Sequence, residues 1–272
     1  MRFLLKGTEN YSLSQIKKQF SSFEVGDKLP FCRINFSDRP RGILKDKKLF
    51  KRVGEHSFYS LQDGVMVANA TTFAIMLENY STMNVLLPHG IDVPERQTAF
   101  LMLQAYRYAL ANAGHFQMHG AVVVQNGCGV AFCGVPGAGK STQAHLWIKH
   151  LNSQALNLDQ PCVLFDNGEI LVSGSPWSGK EDCYINKSVR LKAVFFVEQA
   201  KENVVEKLSC AEAFSHLFLN NFLVPVTDEI EKKHQDAVMK VAIGVPVYRL
   251  KCTISKEAVE VAYNAVFNRN EG

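Results

Sequence analysis

Gly134-Val135-Pro136-Gly137-Ala138-Gly139-Lys140-Ser141-Thr142 is the stretch that decides how this chain is read. It fits G-x-x-x-x-G-K-[ST], a glycine-rich turn that wraps backbone N–H groups around phosphate oxygens. Glycines permit positive φ and let the main chain approach a ligand with no Cβ in the way. The amides of the turn and the start of a following helix present partial positive charge. Lys140 adds a full charge for the β and γ phosphates, and the Ser141 hydroxyl is a natural Mg²⁺ ligand. Working outward, Gly129–Cys133 is a short apolar run of strand type. Ser141–Leu151 carries Ala144, Leu146, Trp147, Ile148 and Leu151 at the spacing of a helix buried on one side. Strand, glycine turn and helix form the context the motif requires. Residues Gly134, Val135, Pro136, Gly137, Ala138, Gly139, Lys140, Ser141 and Thr142 are therefore expected to hold ATP or another nucleoside triphosphate, with Mg²⁺.

The approach to this turn is unusual. Met118–Val124 reads as a strand, and Asn126-Gly127 is a strong hairpin signal that joins it to Gly129–Cys133. In the common nucleotide-binding arrangement the strand before the turn is parallel and buried among crossover helices. Beyond the helix come apolar runs at Ala155–Leu158, Cys162–Phe165 and Ile170–Ser173, the last two joined by Asp166-Asn167-Gly168, then Val189–Val197. Cys210–Phe222 and Asp228–Ile243 read as helices, Pro246–Cys252 as a strand and Lys256–Arg269 as a closing helix.

His119-Gly120, Gly134–Ser141 and Asn157-Leu158-Asp159-Gln160-Pro161, in that order, resemble the kinase domain of the HPr kinase/phosphorylase family, whose core is shared with phosphoenolpyruvate carboxykinase. The resemblance covers roughly residues 115–165 and weakens through the rest of the C-terminal half. It implies an α/β fold with a mixed sheet. It also implies that Asp159 binds Mg²⁺ together with Ser141, and that His119 lies beside the transferred phosphoryl group. An imidazole there can take a hydroxyl proton or stabilise a phosphoryl oxygen. The family carries an Asp-Asp pair where this chain has Leu158-Asp159, so one carboxylate is missing, and Glu198 is a conceivable substitute base. A second shaped loop, Gly174-Ser175-Pro176-Trp177-Ser178-Gly179-Lys180-Glu181, combines breakers with an aromatic ring and a cation. Trp177 could wall a pocket or anchor a surface turn, and Lys180 could reach phosphate. The segment with which true HPr kinases capture HPr is not recognisable here, which argues against HPr as the acceptor.

Composition sets the outer limits. A chain of 272 residues with 47% hydrophobic and 21% charged content is ordinary for a globular protein with a sizeable core. A net charge of +4 does not imply nucleic acid, and no apolar run approaches a membrane span. Met1–Gly7 lacks signal-peptide architecture, so a cytoplasmic protein is expected. Seven scattered cysteines with no C-x-x-C pair point to reduced thiols instead of a zinc or disulfide framework.

Residues 1–92 are expected to form a β-rich lobe that recognises the acceptor, and residues 93–272 the kinase-like domain. Within the lobe, Ser12–Phe20 suits a helix capped by Ser12, and Cys32–Phe36 a strand. The basic segment Arg39–Arg52 suits either an acidic partner or a solvated face. Ser57–Leu61, Gly64–Ala68, Thr72–Asn79 and Met83–Leu87 read as an antiparallel meander. Pro94 then suits the start of a long apolar helix to about Ala113, placed between the lobe's sheet and the nucleotide core. The expected activity is transfer of the γ-phosphoryl group to a hydroxyl, on a serine of a peptide or protein or on a small molecule. The alternative is a catalytically impaired nucleotide-binding regulator, which Leu158 favours. A homo-oligomer is compatible with either reading, and neither nucleic acid nor a membrane is an expected partner.

Overall fold

The computed structural model describes residues 2–7, 13–24, 31–37, 47–69, 74–87, 95–221, 223–224 and 227–268. It divides into two compact units, Met1–Ala113 with Leu223–His234 and Gly114–Phe222 with Gln235–Gly272. The long helix Glu95–Asn112 groups with the first unit. Among the described residues there are two mixed sheets and six α-helices, and no helix is long and apolar enough to cross a membrane.

The first unit contains β1 (Phe3–Lys6), α1 (Ser14–Phe20), β2 (Cys32–Ser37), β3 (Lys48–Val53), β4 (His56–Leu61), β5 (Gly64–Asn69), β6 (Ala74–Glu78), β7 (Thr82–Leu86) and α2 (Glu95–Asn112). Its sheet runs β1-β2-β7-β6-β5-β4-β3. The expected meander is present as antiparallel β4 to β7, while β1, β2 and β7 pair in parallel. Thirteen positions of α2, from Thr98 to Ala111, are buried, and the helix packs on β5, β6 and β7. Tyr106 of α2 meets Phe3 at 5.3 Å between ring centroids, and Phe3 meets Phe20 of α1 at 5.1 Å.

Two details of this unit depart from the sequence reading. The N-cap position of α1 is Leu13, with no side-chain cap of its own, and Ser12 lies outside the described residues. The carboxylate of Glu95 caps the helix instead, accepting from Gln15 N at 2.8 Å and Ile16 N at 3.0 Å. The basic segment is not a loop throughout. Its last part is the edge strand β3, exposed along its length, while residues 39–46, like Pro94, lie outside the described residues.

The second unit contains β8 (Phe116–Gln117), β9 (Gly120–Gln125), β10 (Cys128–Cys133), α3 (Lys140–Leu151), β11 (Gln154–Asn157), β12 (Cys162–Asp166), β13 (Glu169–Ser173), β14 (Ser188–Gln199), β15 (Val204–Lys207), α4 (Cys210–Leu219), the larger part of α5 (Asp228–Gly244), β16 (Val247–Cys252) and α6 (Lys256–Phe267). Asn126 and Gly127, at φ 50° and 75°, turn β9 into antiparallel β10, as the sequence predicts. The other neighbour of β10 is parallel β14, and β14 is in turn parallel to β16.

Alternation along these strands separates two cores. Ala121, Val123, Val130, Phe132, Ala193 and Phe195 pack with residues of α3 and α6. Val122, Val124, Ala131, Cys133, Val194 and Phe196 pack with residues of α4 and α5. An aromatic row ties the first core together: Phe132 lies 5.5 Å from Trp147 of α3 and 5.8 Å from Phe195, which lies 5.2 Å from Tyr248. The central strands are therefore covered on both faces, leaving their ends to carry polar chemistry.

Candidate functional site

Strand direction brings the candidate residues to one end of the sheet. β9 is antiparallel to both β10 and β11, and β14 is parallel to β10. The start of β9 and the ends of β10, β11 and β14 therefore share an edge. His119 directly precedes β9, Gly134 follows β10, Asp159 follows β11 by two residues, and Gln199 ends β14.

The turn after β10 has the geometry that its glycines allow. Gly134, Gly137 and Gly139 sit at φ 140°, 82° and 105°, in the region that side chains disfavour. A Cβ on Gly134 would lie 3.1 Å from the Val197 carbonyl oxygen and 3.2 Å from Ala138 Cβ. Gly139 is the N-cap of α3 and no side chain caps that helix. Its leading amides thus form the kind of helix start that attracts anions. Gln199 Nε2 donates to the Gly137 carbonyl at 2.8 Å, tying the turn to the end of β14. The Lys140 ammonium folds back and donates to the carbonyls of Gly134 at 3.0 Å and Val135 at 3.1 Å. Burial lowers the Lys140 pKa, while Cys133 and Asp159 act in the opposite sense. Ser141 and Thr142 are half-buried, and Val135, Pro136 and Gly137 are exposed.

His119 and Asp159 meet. His119 Nε2 lies 3.4 Å from Asp159 Oδ1, with side chains 18% and 32% exposed, so both are accessible yet held. Their backbones are fixed as well. Gly120 N donates to the Asp159 carbonyl at 2.9 Å, and Asn220 Nδ2 at the end of α4 donates to the His119 carbonyl at 2.7 Å.

Sequence reasoning assigned no role to Asn157, which organises this corner. Fully buried, it accepts through Oδ1 from Asp159 N at 3.0 Å and Gln160 N at 2.7 Å, and donates from Nδ2 to the Trp177 carbonyl at 2.9 Å. The signal was present in Asn157-Leu158-Asp159-Gln160-Pro161, because an asparagine two residues before a turn bonds the backbone ahead of it. Ser175 reinforces the same corner, donating to the Gln160 carbonyl at 2.6 Å and accepting from Trp177 N at 3.2 Å.

The second loop thus leans on the Asp159 turn. Trp177 is only 6% exposed, so its indole anchors the loop and is not presented at a surface. Gly179, at φ 69°, passes so close that a Cβ there would lie 2.8 Å from Asp159 Oδ2, and Lys180 follows it in an exposed position. Glu181 pairs with His145 of α3 at 2.9 Å. Glu198 does not join the group, since its carboxylate is held by Arg249 Nε at 3.3 Å. Leu158 is 7% exposed and packs in the core with Trp147, so it faces away from polar chemistry.

No group of three or more His, Cys, Asp or Glu side chains among the described residues is placed to hold a metal. Mg²⁺ does not need such a cage, because it keeps waters and is bound by one or two protein oxygens plus substrate phosphates. The Ser141 hydroxyl and the Asp159 carboxylate suit that mode of binding, and Asp159 lies near enough to Lys140 to raise its pKa.

Among curated proteins none matches this chain. Among solved structures, the HPr(Ser) kinase/phosphatase from Coxiella burnetii is similar over 56% of this chain and 88% of that one, at 12% identity and a TM-score of 0.34. A family model described as SynChlorMet cassette protein ScmC matches residues 96–266, more than half of the 272 residues, and the chain belongs to that family.

Proposed function

We propose that the chain is a Mg²⁺- and ATP-dependent phosphotransferase that moves the γ-phosphoryl group to a hydroxyl, on a serine of a peptide or on a small molecule. The turn Gly134–Thr142 cradles the triphosphate, and Lys140 swings from its own loop's carbonyls to the phosphate oxygens. Ser141 and Asp159 would hold Mg²⁺ beside the phosphates, where it would supply charge neutralisation for the transferred group. The acceptor oxygen bonds to the γ-phosphorus as the bridging oxygen departs with ADP. The hydroxyl proton passes to the pair formed by His119 and Asp159. Catalysis of this kind is chiefly positioning and charge neutralisation.

The observation that carries the reading is the His119–Asp159 contact at 3.4 Å, on the sheet edge where the glycine turn also lies. The rival reading, a nucleotide-binding regulator without turnover, draws on Leu158, whose burial leaves one carboxylate at this corner where the resemblance expects two. Incubation with γ-labelled ATP, Mg²⁺ and serine-containing peptides separates them. Label should reach the acceptor with the wild type and be lost in Asp159→Asn, which retains nucleotide binding. Equal transfer by wild type and Asp159→Asn would overturn the assignment, and tight binding without transfer to any acceptor would favour the regulator.

A further inference from the structure

A cavity of the second unit lies far from the glycine turn. It has a volume of about 740 Å³, within the size range of small-molecule sites. It opens around the first half of β14, the end of β15 and the segment leading into β16. Leu191 and Val197 of β14 are six residues apart, so the cavity lies about 20 Å along the strand from the turn.

Its charge is one-sided. Arg190, Lys192 and Lys207 line it, with Glu169 as the single acid. None of these four enters a side-chain hydrogen bond or ion pair among the described residues, and all four are exposed. The placement of the cations has a structural cause. Gly129 pairs with Leu191 and Val130 with Ala193, so Lys192 is the extra residue of a β-bulge. Up to the bulge the alternation holds, leaving Arg190 and Lys192 exposed while Val189 and Leu191 are buried. The floor is apolar: Tyr248 and Val245 are 3% and 4% exposed. The Tyr248 hydroxyl donates to the Ala265 carbonyl at 3.2 Å, occupying a carbonyl at the C-terminal end of α6 that would otherwise repel an anion.

We propose that this cavity is a second anion site, for a small phosphorylated molecule with an apolar body, separate from the 134–142 turn. Arg190, Lys192 and Lys207 take the phosphate, and the apolar floor takes the remainder. This site does not depend on the kinase reading. Phenyl phosphate and inorganic phosphate serve as probes, read by hydrogen–deuterium exchange on the whole chain. Phenyl phosphate should protect peptides covering 188–192 and 244–249, at lower concentrations than inorganic phosphate does. In Arg190→Gln/Lys192→Gln/Lys207→Gln the concentration giving half-protection there should rise at least roughly tenfold. Lys192→Gln alone, a milder change at the bulge, should raise it less. Protection confined to 134–142, or protection of 188–192 that survives the triple substitution, would overturn the proposal.

Discussion

Replacing Asn157 by alanine tests whether the corner of the site is built as described. The substitution removes the acceptor for Gln160 N and Asp159 N and the donor to the Trp177 carbonyl. Gln160 is 8% exposed, so water cannot readily replace the partner its amide loses, whereas the Trp177 carbonyl keeps the Ser175 hydroxyl at 3.0 Å and the Asp159 amide lies at a half-buried residue. A buried polar group left without a partner costs about 1–3 kcal/mol, so losing the Gln160 partner and weakening the other two bonds should cost roughly 2 kcal/mol. For a unit of this size that corresponds to a fall in Tm of roughly 4–8 °C. Trp147 and Trp177, the only two tryptophans of the chain, both lie in the second unit. Intrinsic fluorescence during urea denaturation therefore reports this unit without interference from the first. Asn157→Asp should cost at least as much, because it sets a fully buried carboxylate against the Trp177 carbonyl. A loss below about 1 kcal/mol for Asn157→Ala would refute the reasoning, because it would mean that the turn and the Trp177 loop hold without this side chain.

Three further outcomes follow from other parts of the structure. Gly179→Ala places a Cβ 2.8 Å from Asp159 Oδ2 at φ 69°, so phosphoryl transfer should fall more than nucleotide affinity does, as labelled-ATP kinetics beside binding titrations would show. Burial pushes His234 down to about 4 from 6.5, so the folded state favours the neutral ring. Stability should be full above pH about 6.5 and fall by roughly 3 kcal/mol as pH drops towards 4, and His234→Phe should flatten that part of the calorimetric pH profile. Glu95→Ala removes the carboxylate that caps α1 and should destabilise the first unit by about 1 kcal/mol, measured by calorimetry against Glu95→Gln.

What the sequence reveals follows from how local each feature is. The Asn126-Gly127 hairpin, the glycine turn and the β4–β7 meander rest on short-range chemistry, and the structure has all of them where the residues place them. Features that depend on distant partners were not legible. Two-residue β8 and the short strand β15 exist only because β12 and β16 offer them edges. The cap of α1 comes from Glu95, some eighty residues downstream. Residues 223–234 group with the first unit, where the Val224 carbonyl accepts from Tyr108 and Lys233 donates to Asn112. No periodicity within α5 announces that division. His119 and Asp159 could be nominated singly, but their contact required the antiparallel order of β9, β10 and β11.

Equilibrium binding of Mg²⁺-ATP, compared between the wild type and Lys140→Ala, tests the central claim most directly. Lys140 lies over the turn within 3.1 Å of its carbonyls, and its charge is the main one the loop can offer a triphosphate. The account predicts saturable one-to-one binding by the wild type, weakened roughly tenfold or more by the substitution. Equal affinity in the two proteins, or no binding by either, would contradict it.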